Sequence, residues 1–299
     1  MSEEQNILSS INDSNLPLVS VGVPTYNRPF GLKKCLEHLI LQTYQNIEII
    51  ISDNCSTNPE VQKIIQYYSA KDGRIKHFRQ TENIGLEKNF NFLYAQSFAP
   101  YFMWMSDDDY FDVDYVEKCV FFLEQNPDYV LCSGTAKYYS GNDFLFVEKM
   151  FAVNQKTAFK RLLQYFSKVG KNGNFYGVFR RSLITENPLS LHIGCDWSFM
   201  ARLAVHGKLT FLETTSYQRS SEGHSASRRA MIRKFKFNRF QSIFFETYSA
   251  YVISSNIFND AAVNKKINYL QRKLIVILIF FQINYKYFIH FFKRRIWQK

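Results

Sequence analysis

Three consecutive aspartates, Asp107, Asp108 and Asp109, are the residues of this 299-residue chain whose type and spacing point most clearly to chemistry. Adjacent carboxylates repel, so each disfavours ionisation of the next unless a cation neutralises them. Such hard oxygen ligands suit Mg²⁺ or Mn²⁺, which use one or two protein carboxylates and fill other positions with water and substrate phosphate. An acidic loop capping the helix that begins near Val113 is the alternative. The position of the aspartates after the apolar run 101–106 favours the metal site.

Three further polar loops follow apolar runs that are typical of strands. They are residues 24–28 (PTYNR), 53–57 (DNCST) and 81–85 (TENIG). In an open α/β sheet, ligands bind outside the carboxyl ends of the strands, so we expect these loops and the aspartates to share one site. Neither GxGxxG nor GxxxxGK followed by Ser or Thr occurs. A Rossmann dinucleotide enzyme and a P-loop NTPase therefore both lose support.

The elements that must position these loops follow from the hydrophobic pattern. The predicted strands are residues 18–23, 47–52, 75–80, 101–106 and 129–134. Segments with apolar residues at three- and four-residue spacing separate them and predict helices. This alternation predicts an α/β fold with a mostly parallel, Rossmann-like sheet and helices on both faces. After Gly134 the rhythm weakens; short strands are predicted over 175–181 and 209–213, and a helix from about Asp196 to His206.

Charge divides the chain unequally. The sequence has 37 Lys and Arg against 26 Asp and Glu, a net charge of +11. Residues 1–227 hold 22 basic and 24 acidic side chains, a net of −2, whereas residues 228–299 hold 15 and 2, a net of +13. A nearly neutral body argues against an extensive nucleic-acid surface. Five cysteines without a CxxC pair argue against a disulfide framework or a zinc ribbon and fit the cytoplasm.

The basic C-terminal segment interleaves cations with aromatic rings, as in Tyr285, Lys286 and Tyr287. Its longest apolar run, residues 274–281, is shorter than the roughly 18 residues that a spanning helix needs. Such a segment suits an anionic membrane surface. A core helix with a solvated charged end, or pairing with another chain in a homo-oligomer, is the alternative.

The same patterns divide the chain into three predicted parts. Residues 1–16 form a short disordered lead-in without the basic start and apolar stretch of a signal peptide. Residues 17–227 form one domain, which changes character at about residue 134. Residues 228–299 form a basic, aromatic-rich helical extension.

Four segments occur in the order and approximate spacing of one known family. They are VSVGVPTYNRP (19–29), IEIIISDNCST (47–57), ENIGLEKNFN (82–91) and MSDDDYF (105–111). Over about residues 18–225, the chain resembles the inverting family 2 glycosyltransferases, which have the GT-A fold. The resemblance implies a nucleoside-diphosphate sugar as donor, with a UDP-sugar expected. It also implies a hydroxyl of a glycan or lipid-linked glycan as acceptor, in the synthesis of a cell-surface polysaccharide at the inner face of the cell membrane. On this resemblance, residues of about 17–134 form the nucleotide-sugar half of the domain and residues of about 135–227 form its acceptor half.

The resemblance also implies roles for individual residues. Those expected to bind the donor are Pro24, Thr25, Tyr26, Arg28, Asp53, Asn83, Gly85, Asn89, Asp107 and Asp108. Asp53 would accept a hydrogen bond from the base, and Asp109 would be the direct metal ligand with Asp107 beside it. The family often has Asp-x-Asp-Asp at this point, and Ser106 stands at the first of those aspartates here.

Inversion at an anomeric carbon needs a base that takes the proton of the acceptor hydroxyl. The family places this base in a Glu-Asp or similar pair at the start of a later helix, which matches Cys195 and Asp196. Asp196 is therefore the candidate base, and a simple helix N-cap is its alternative role. Residues 217–227 resemble a loop that closes over the donor phosphates. There Arg219 would contact phosphate, and His224 would bind the metal or the diphosphate unless it is a plain surface residue.

Two other functions stay open on the sequence alone. A nucleotidyltransferase acting on a sugar phosphate also uses a parallel sheet and metal-binding aspartates, but PTYNRPFG (24–31) is a poor match for its glycine-rich basic loop. A non-catalytic nucleotide-sugar-binding module is the other, and the presence of Asp53, Asp109 and Asp196 argues against it.

Overall fold

The computed structural model describes residues 16–184, 187–221 and 228–296, with side chains as far as residue 285. The predicted lead-in lies outside this part of the chain, apart from Leu16. The strands are β1 (Val19–Thr25), β2 (Ile47–Asp53), β3 (Ile75–Arg79), β4 (Tyr101–Trp104), β5 (Tyr110–Phe111), β6 (Tyr129–Ser140), β7 (Asp143–Val147), β8 (Val178–Arg180) and β9 (Lys208–Ser220).

Helices connect these strands and then continue to the end of the described chain. They are α1 (Pro29–Ile40), α2 (Pro59–Lys71), α3 (Leu86–Ala95), α4 (Tyr115–Gln125), α5 (Ala158–Lys168), α6 (Cys195–His206), α7 (Arg228–Lys234), α8 (Arg239–Ile243), α9 (Phe245–Asn259), α10 (Ala261–Lys266) and α11 (Tyr269–Ile296). The first four predicted strands are thus confirmed within two residues at their ends, with helices between them, whereas β6 continues to Ser140, six residues beyond its predicted end.

One mixed sheet carries the fold, with the strand order β3-β2-β1-β4-β8-β6-β9-β5 and β7 paired to β6. Strands β1 to β4 are parallel to one another, and β6 is parallel to β9. Strand β8 is antiparallel to both of its neighbours, as are β5 to β9 and β7 to β6. The α/β fold class is confirmed, and the antiparallel strands are a feature that the alternation of strands and helices does not disclose.

The parallel strands are buried on both faces, which explains their continuous apolar sequence. Every residue of β1 and β2 is buried. Because side chains alternate along a strand, Ile49 and Ile51 join one hydrophobic cluster, with α1, α2 and α4, while Ile50 joins the other, with α3, α5 and α6. Helices on both faces therefore fix the sheet and, with it, the loops at the strand ends.

Two later strands differ from their predicted bounds. The segment predicted as a strand over 175–181 begins with a short 3₁₀ helix at Gly173–Tyr176, and only Val178–Arg180 is a strand. Strand β9 continues to Ser220 because it pairs with β6 along its length and with β5 near its end. The longer β9 carries Arg219 to the same side of the sheet as the aspartates.

The C-terminal helices pack on the α/β body. Ile253 and Ile257 of α9 and Ile275 and Ile279 of α11 are buried in the same hydrophobic cluster as Phe199 of α6. Among the described residues, no helix combines the length and the apolarity needed to cross a bilayer.

Candidate active site

A cavity of about 280 Å³ opens at the carboxyl ends of β1, β2 and β4. Its lining residues are Pro24, Thr25, Tyr26, Arg28, Asn54, Asn83, Leu86, Asn89, Phe90, Ser106, Asp107, Asp108, Asp109, Tyr176, Arg219 and Ser220. Most of the donor-binding residues expected from the sequence meet here. Asn54 and Tyr176 also line the cavity but are not among the expected residues. Only the position of Asn54 directly after Asp53, in the loop 53–57, pointed to it.

Residues of the loop after β1 hold the first two aspartates. Thr25 Oγ1 donates a hydrogen bond of 2.7 Å to Asp107 Oδ2. Arg28 Nη1 donates to Asp107 Oδ1 at 3.2 Å and to Asp108 Oδ2 at 2.6 Å. Helix α1 packs so closely on this acidic loop that a Cβ at Gly31 would lie 2.5 Å from the carbonyl oxygen of Asp107. The loop after β1 and the aspartates therefore form one unit.

Asp109 is buried and is held from β9. Its Oδ1 accepts a hydrogen bond of 3.2 Å from the backbone N–H of Ser220, and its Oδ2 lies 3.9 Å from Arg219 Nε. The guanidinium of Arg219 lies over the rings of Tyr138 and Tyr176, and its Nη1 donates to the Tyr138 hydroxyl at 2.8 Å. Arg219 thus lines the cavity, and its contact with phosphate stays a prediction, whereas His224 lies outside the described residues.

Burial and mutual repulsion disfavour ionisation of these carboxyl groups. Burial, reinforced by the charge of Asp108, raises the pKa of Asp107 to about 7. Burial also raises the pKa of Asp109 to about 8, although the nearby Arg219 lowers it. A divalent cation would offset both effects, because it favours the ionised carboxylates.

The donor set fits a hard cation bound largely through a substrate. Among the described residues, no group of three or more His, Cys, Asp or Glu side chains has the arrangement of a complete metal site. Mg²⁺ and Mn²⁺ do not require one, since one or two carboxylates together with phosphate oxygens and water suffice. Asp109 and Asp107 offer such oxygens at the edge of the cavity.

Asparagine side chains join the end of β2 to helix α3. Asn54 Nδ2 donates to Asn83 Oδ1 at 2.9 Å, and Asn83 Oδ1 also accepts from the N–H of Gly85 at 3.0 Å. Asn89 is buried and is fixed by Ser52, whose hydroxyl donates to Asn89 Oδ1 at 2.6 Å. Gly85 does not line the cavity; it precedes α3 with φ 86, a conformation that favours glycine.

Asp53 lies at the end of β2 but does not line the cavity. Its fully buried carboxylate accepts hydrogen bonds from the N–H of Ser56 at 2.9 Å and from Gln62 Nε2 at 2.5 Å. Arg79 Nε lies 3.6 Å from the same carboxylate. A contact from Asp53 to a nucleotide base therefore stays a prediction, and it would have to compete with Gln62.

Asp196 lies in the first turn of α6, where the N-cap position belongs to Gly194 rather than to Asp196. Asn172 Nδ2 donates to Asp196 Oδ2 at 2.8 Å. Burial raises the pKa of Asp196, while the hydrogen bond from Asn172 lowers it. Asp196 is not among the cavity-lining residues, but its charge acts on Tyr176, and Arg219 acts on Asp196. The candidate base thus lies within electrostatic range of two residues that line the cavity.

Comparisons with known proteins bear on these residues. Residues 20–187, more than half of the chain, match the model of the family described as glycosyl transferase family 2. The glycosyltransferase GlyA of Streptococcus pneumoniae is 34% identical over 195 residues, which are 64% of this chain and 25% of that protein. An uncharacterized glycosyltransferase of Haemophilus influenzae is 33% identical over 38% of this chain and 44% of its own. This chain therefore spans less than half the length of these relatives.

Solved structures share the fold. TarS 1–349 of S. aureus in complex with UDP-GlcNAc has a TM-score of 0.64 at 17% identity, over 88% of this chain and 72% of that one. The mannosyltransferase PcManGT of Pyrobaculum calidifontis, in complex with GDP-Man and Mn²⁺, has a TM-score of 0.56 at 14% identity, over 91% and 71%. The predicted GT-A-like fold is confirmed by these neighbours.

Proposed function

The chain belongs to glycosyl transferase family 2, and from this premise we propose that it performs a metal-dependent, inverting sugar transfer from a nucleoside-diphosphate sugar. The acceptor is a hydroxyl of a glycan or lipid-linked glycan in cell-surface polysaccharide synthesis. The observation that carries the proposal is the convergence of Asp107, Asp109, Arg28 and Arg219 with asparagine amides on one cavity at the strand ends.

A UDP-sugar is the proposed donor. The amides of Asn54 and Asn83 and the aromatic ring of Tyr26 line the part of the cavity next to β1 and β2, where a base and ribose would bind. Arg28 and Arg219 supply the positive charge that a diphosphate needs. The neighbour TarS was solved with UDP-GlcNAc, which supports a nucleotide-sugar donor of this type.

Mg²⁺ or Mn²⁺ would be held by Asp109 and Asp107, and His224 remains a proposed additional ligand outside the described residues. When bound, such an ion stabilises negative charge on a departing diphosphate. The neighbour PcManGT was solved with Mn²⁺, which supports metal use in this fold.

Asp196 is the proposed general base. The acceptor oxygen forms a bond to the anomeric carbon as the bond from that carbon to the diphosphate oxygen breaks, with inversion. The proton of the acceptor hydroxyl passes to the Asp196 carboxylate, and the nucleoside diphosphate leaves. Asn172 Nδ2 donates to Asp196 Oδ2 at 2.8 Å and so fixes the orientation of the carboxylate that takes the proton.

A screen by thermal shift tests the donor and the metal together. We expect the melting temperature to rise with UDP or a UDP-sugar, and more so with Mn²⁺, because a ligand of the folded state stabilises it. GDP-, dTDP- and CMP-sugars serve as comparisons. Release of UDP on turnover supports the transferase, whereas pyrophosphate release from a nucleoside triphosphate and a sugar phosphate would contradict it. A folded protein that responds to no donor would also contradict the proposal.

Peripheral binding to an anionic membrane is the second part of the proposal. One face of α11, called here the apolar stripe, repeats exposed residues at helical spacing: Leu270, Leu274, Ile277, Leu278, Phe281 and Tyr285. Two grooves of about 490 and 570 Å³ flank Phe281, one on either side of α11. Residues 261–299 hold nine Lys and Arg and no Asp or Glu.

This charge favours a lipid surface over a second copy of the chain. Two copies that met through the apolar stripe would bring like charges together, whereas anionic headgroups complement them. The aromatic rings of Phe281 and Tyr285 suit the headgroup region of a bilayer. Binding should weaken at high salt, because ions screen the attraction.

Vesicle flotation with matched variants tests this membrane surface. Phe281→Asp places a charge within the apolar stripe, and Phe98→Asp makes the same change at an exposed phenylalanine of the α/β body. We expect Phe281→Asp to weaken binding to phosphatidylglycerol vesicles by about tenfold or more, and Phe98→Asp to leave it unchanged. Equal binding by both variants would contradict the proposal. So would lipid-free dimers that only Phe281→Asp disrupts, because they would identify a second copy as the occupant.

A further inference from the structure

The C-terminal extension contacts α3, which lines the cavity at the carboxyl ends of β1, β2 and β4. This cavity is called here the donor cavity. Lys234, at the end of α7, places its Nζ 2.5 Å from Glu87 Oε1. Glu87 is buried, with 7% of its surface exposed, and lies in the first turn of α3 between the cavity-lining residues Leu86 and Asn89. A carboxylate buried at such a point requires a charged or hydrogen-bonding partner, and Lys234 provides one from 147 residues away.

The extension also contacts the start of the helix that carries Asp196. Gly194 has φ 74, and a Cβ at this position would lie 2.5 Å from Ile253 Cδ1 of α9. Ile253 is buried, so this contact belongs to the packed core. Further along the same helix, Arg202 Nε lies 3.4 Å from Asp260 Oδ2, between α9 and α10. The first turn and the middle of α6 are therefore both fixed by the extension.

Charges from α3, α6 and the extension act on one side chain, that of Cys195. Cys195 lies between Gly194 and Asp196, and burial raises the pKa of its thiol. The charges of Asp196 and Glu87 raise it further, and that of Lys234 lowers it. Asp196 and Glu87 likewise act on the ring of His192, the pKa of which burial lowers. Helix α3 also holds the segment that leads into α6, because Asn91 Nδ2 donates to the carbonyl oxygen of Leu189 at 2.7 Å and Asn91 Oδ1 accepts from the Leu189 N–H at 2.9 Å.

We infer that the C-terminal extension completes the reaction site. The Lys234–Glu87 ion pair and the contact of Ile253 with Gly194 hold Asp196 in position relative to the donor cavity. Lys234 and Glu87 are positioning residues in this inference, since they act through α3 and α6. The inference rests on the proposed role of Asp196 and assigns the extension a task at the site that is separate from membrane binding.

Substitution of Lys234, without lipid present, tests the inference. The probes are UDP with Mn²⁺ for binding and, for turnover, release of UDP from the UDP-sugar found by thermal shift, with water as acceptor. We expect Lys234→Met to lower turnover by about tenfold while the Kd for UDP changes less than about threefold, because misplacement of a reacting group costs rate before it costs binding. Lys234→Arg, which keeps the charge, should restore most of the turnover. Lys265→Met, which removes an exposed cation elsewhere in the extension, should not change it.

A second measurement does not depend on activity. Hydrogen exchange of the peptide that covers residues 194–200 should become about threefold faster or more in Lys234→Met than in Lys265→Met, because the start of α6 loses a restraint. Equal exchange in these two variants would overturn the inference even if the wild-type protein released no UDP. A wild-type protein with no turnover but with faster exchange in Lys234→Met would contradict the proposed function and leave the positioning supported.

The double variant Glu87→Gln/Lys234→Met covers the case in which Lys234→Met alone fails to fold. It removes both charges, so no unpaired carboxylate stays buried. Reduced turnover and faster exchange in the folded double variant would support positioning by the ion pair. Wild-type turnover and exchange in the double variant would overturn it, since they would show that only the unpaired charge does harm.

Discussion

The donor cavity and the start of α6 hold their carboxylates by different means. At the cavity, Asp107 and Asp108 share the guanidinium of Arg28, and Asp109 lies beside Arg219. Asp196 instead accepts a hydrogen bond from a neutral amide, that of Asn172. Charge therefore dominates the first region and packing dominates the second. We expect cations and pH to act mainly on the donor cavity, and changes of side-chain shape to act mainly on the start of α6.

The largest effect should come from Asp109→Asn. An amide cannot supply the negative charge that a divalent cation requires, so we expect turnover to fall on the order of 10³-fold. The additional thermal shift that Mn²⁺ gives with UDP should also disappear. Asp143→Asn, at the exposed tip of the β6–β7 hairpin, is the control. If Mn²⁺ with UDP still raised the melting temperature of Asp109→Asn as much as that of the wild type, the negative charge at this position would be dispensable. The contrast between a donor cavity governed by charge and an α6 start governed by packing would then fail.

The next effect concerns Asn172, which holds Asp196. Asn172 has φ 61, so Asn172→Gly removes the amide while it keeps a backbone conformation that glycine accepts. We expect turnover to fall about tenfold with unchanged UDP affinity, because the base loses its orientation. Tyr165→Phe removes the other hydrogen bond of Asn172 and should have a smaller effect. A weaker UDP affinity in Asn172→Gly would instead place this residue at the donor.

A smaller effect is expected from Gly194→Ala. The new methyl group meets Ile253 and occupies a left-handed backbone, so the free energy of unfolding should fall by about 1–3 kcal/mol. Ile253→Ala makes space for the methyl group, and the double variant should lose less stability than the sum of the two single variants. Denaturant unfolding measures all three. If the losses in the free energy of unfolding of the two single variants simply added up in the double variant, Gly194 and Ile253 would not be in energetically important contact.

The smallest effect is a pH dependence of stability at the donor cavity. The pKa values of Asp107 and Asp109 are raised to about 7 and about 8 in the folded protein, so the folded state binds more protons than the unfolded chain. Their contribution to stability is therefore full below the ordinary carboxyl pKa and is lost as pH rises through about 8. Melting temperatures across this range should fall more steeply for the wild type than for Asp109→Asn. If the melting temperatures of the wild type and of Asp109→Asn changed with pH in parallel, the raised pKa of Asp109 would be contradicted.

The sequence predicted the donor cavity better than the start of α6, for a physical reason. Loops after neighbouring parallel strands meet at one edge of a sheet, so the segments at 24–28, 81–85 and 107–109 could be placed together from their order alone. Asn54 lay in one of the quoted loops and was still missed, because asparagine in a loop after a strand gives no signal of its own. The buried position of Asp53, against Gln62 of α2, required the tertiary structure.

The start of α6, which carries the candidate base Asp196, depends on contacts between segments that are distant in the sequence. Asn172 reaches Asp196 from 24 residues away, and Lys234 reaches Glu87 from 147 residues away. Neither contact leaves a periodic or local pattern in the sequence. The charge imbalance of residues 228–299 indicated a surface for an anionic partner, but it gave no indication that the same segment fixes the helix of Asp196.

The most direct test of the account is a paired measurement on Asp196→Asn. The affinity for UDP with Mn²⁺ and the rate of UDP release from the donor found by thermal shift are measured on the same preparation. We predict that the rate falls by about 10²- to 10⁴-fold, because an amide cannot take the proton, while the affinity changes less than about threefold. Retention of the rate, or an equal loss of rate and affinity, would contradict the role of Asp196 and with it the proposed mechanism.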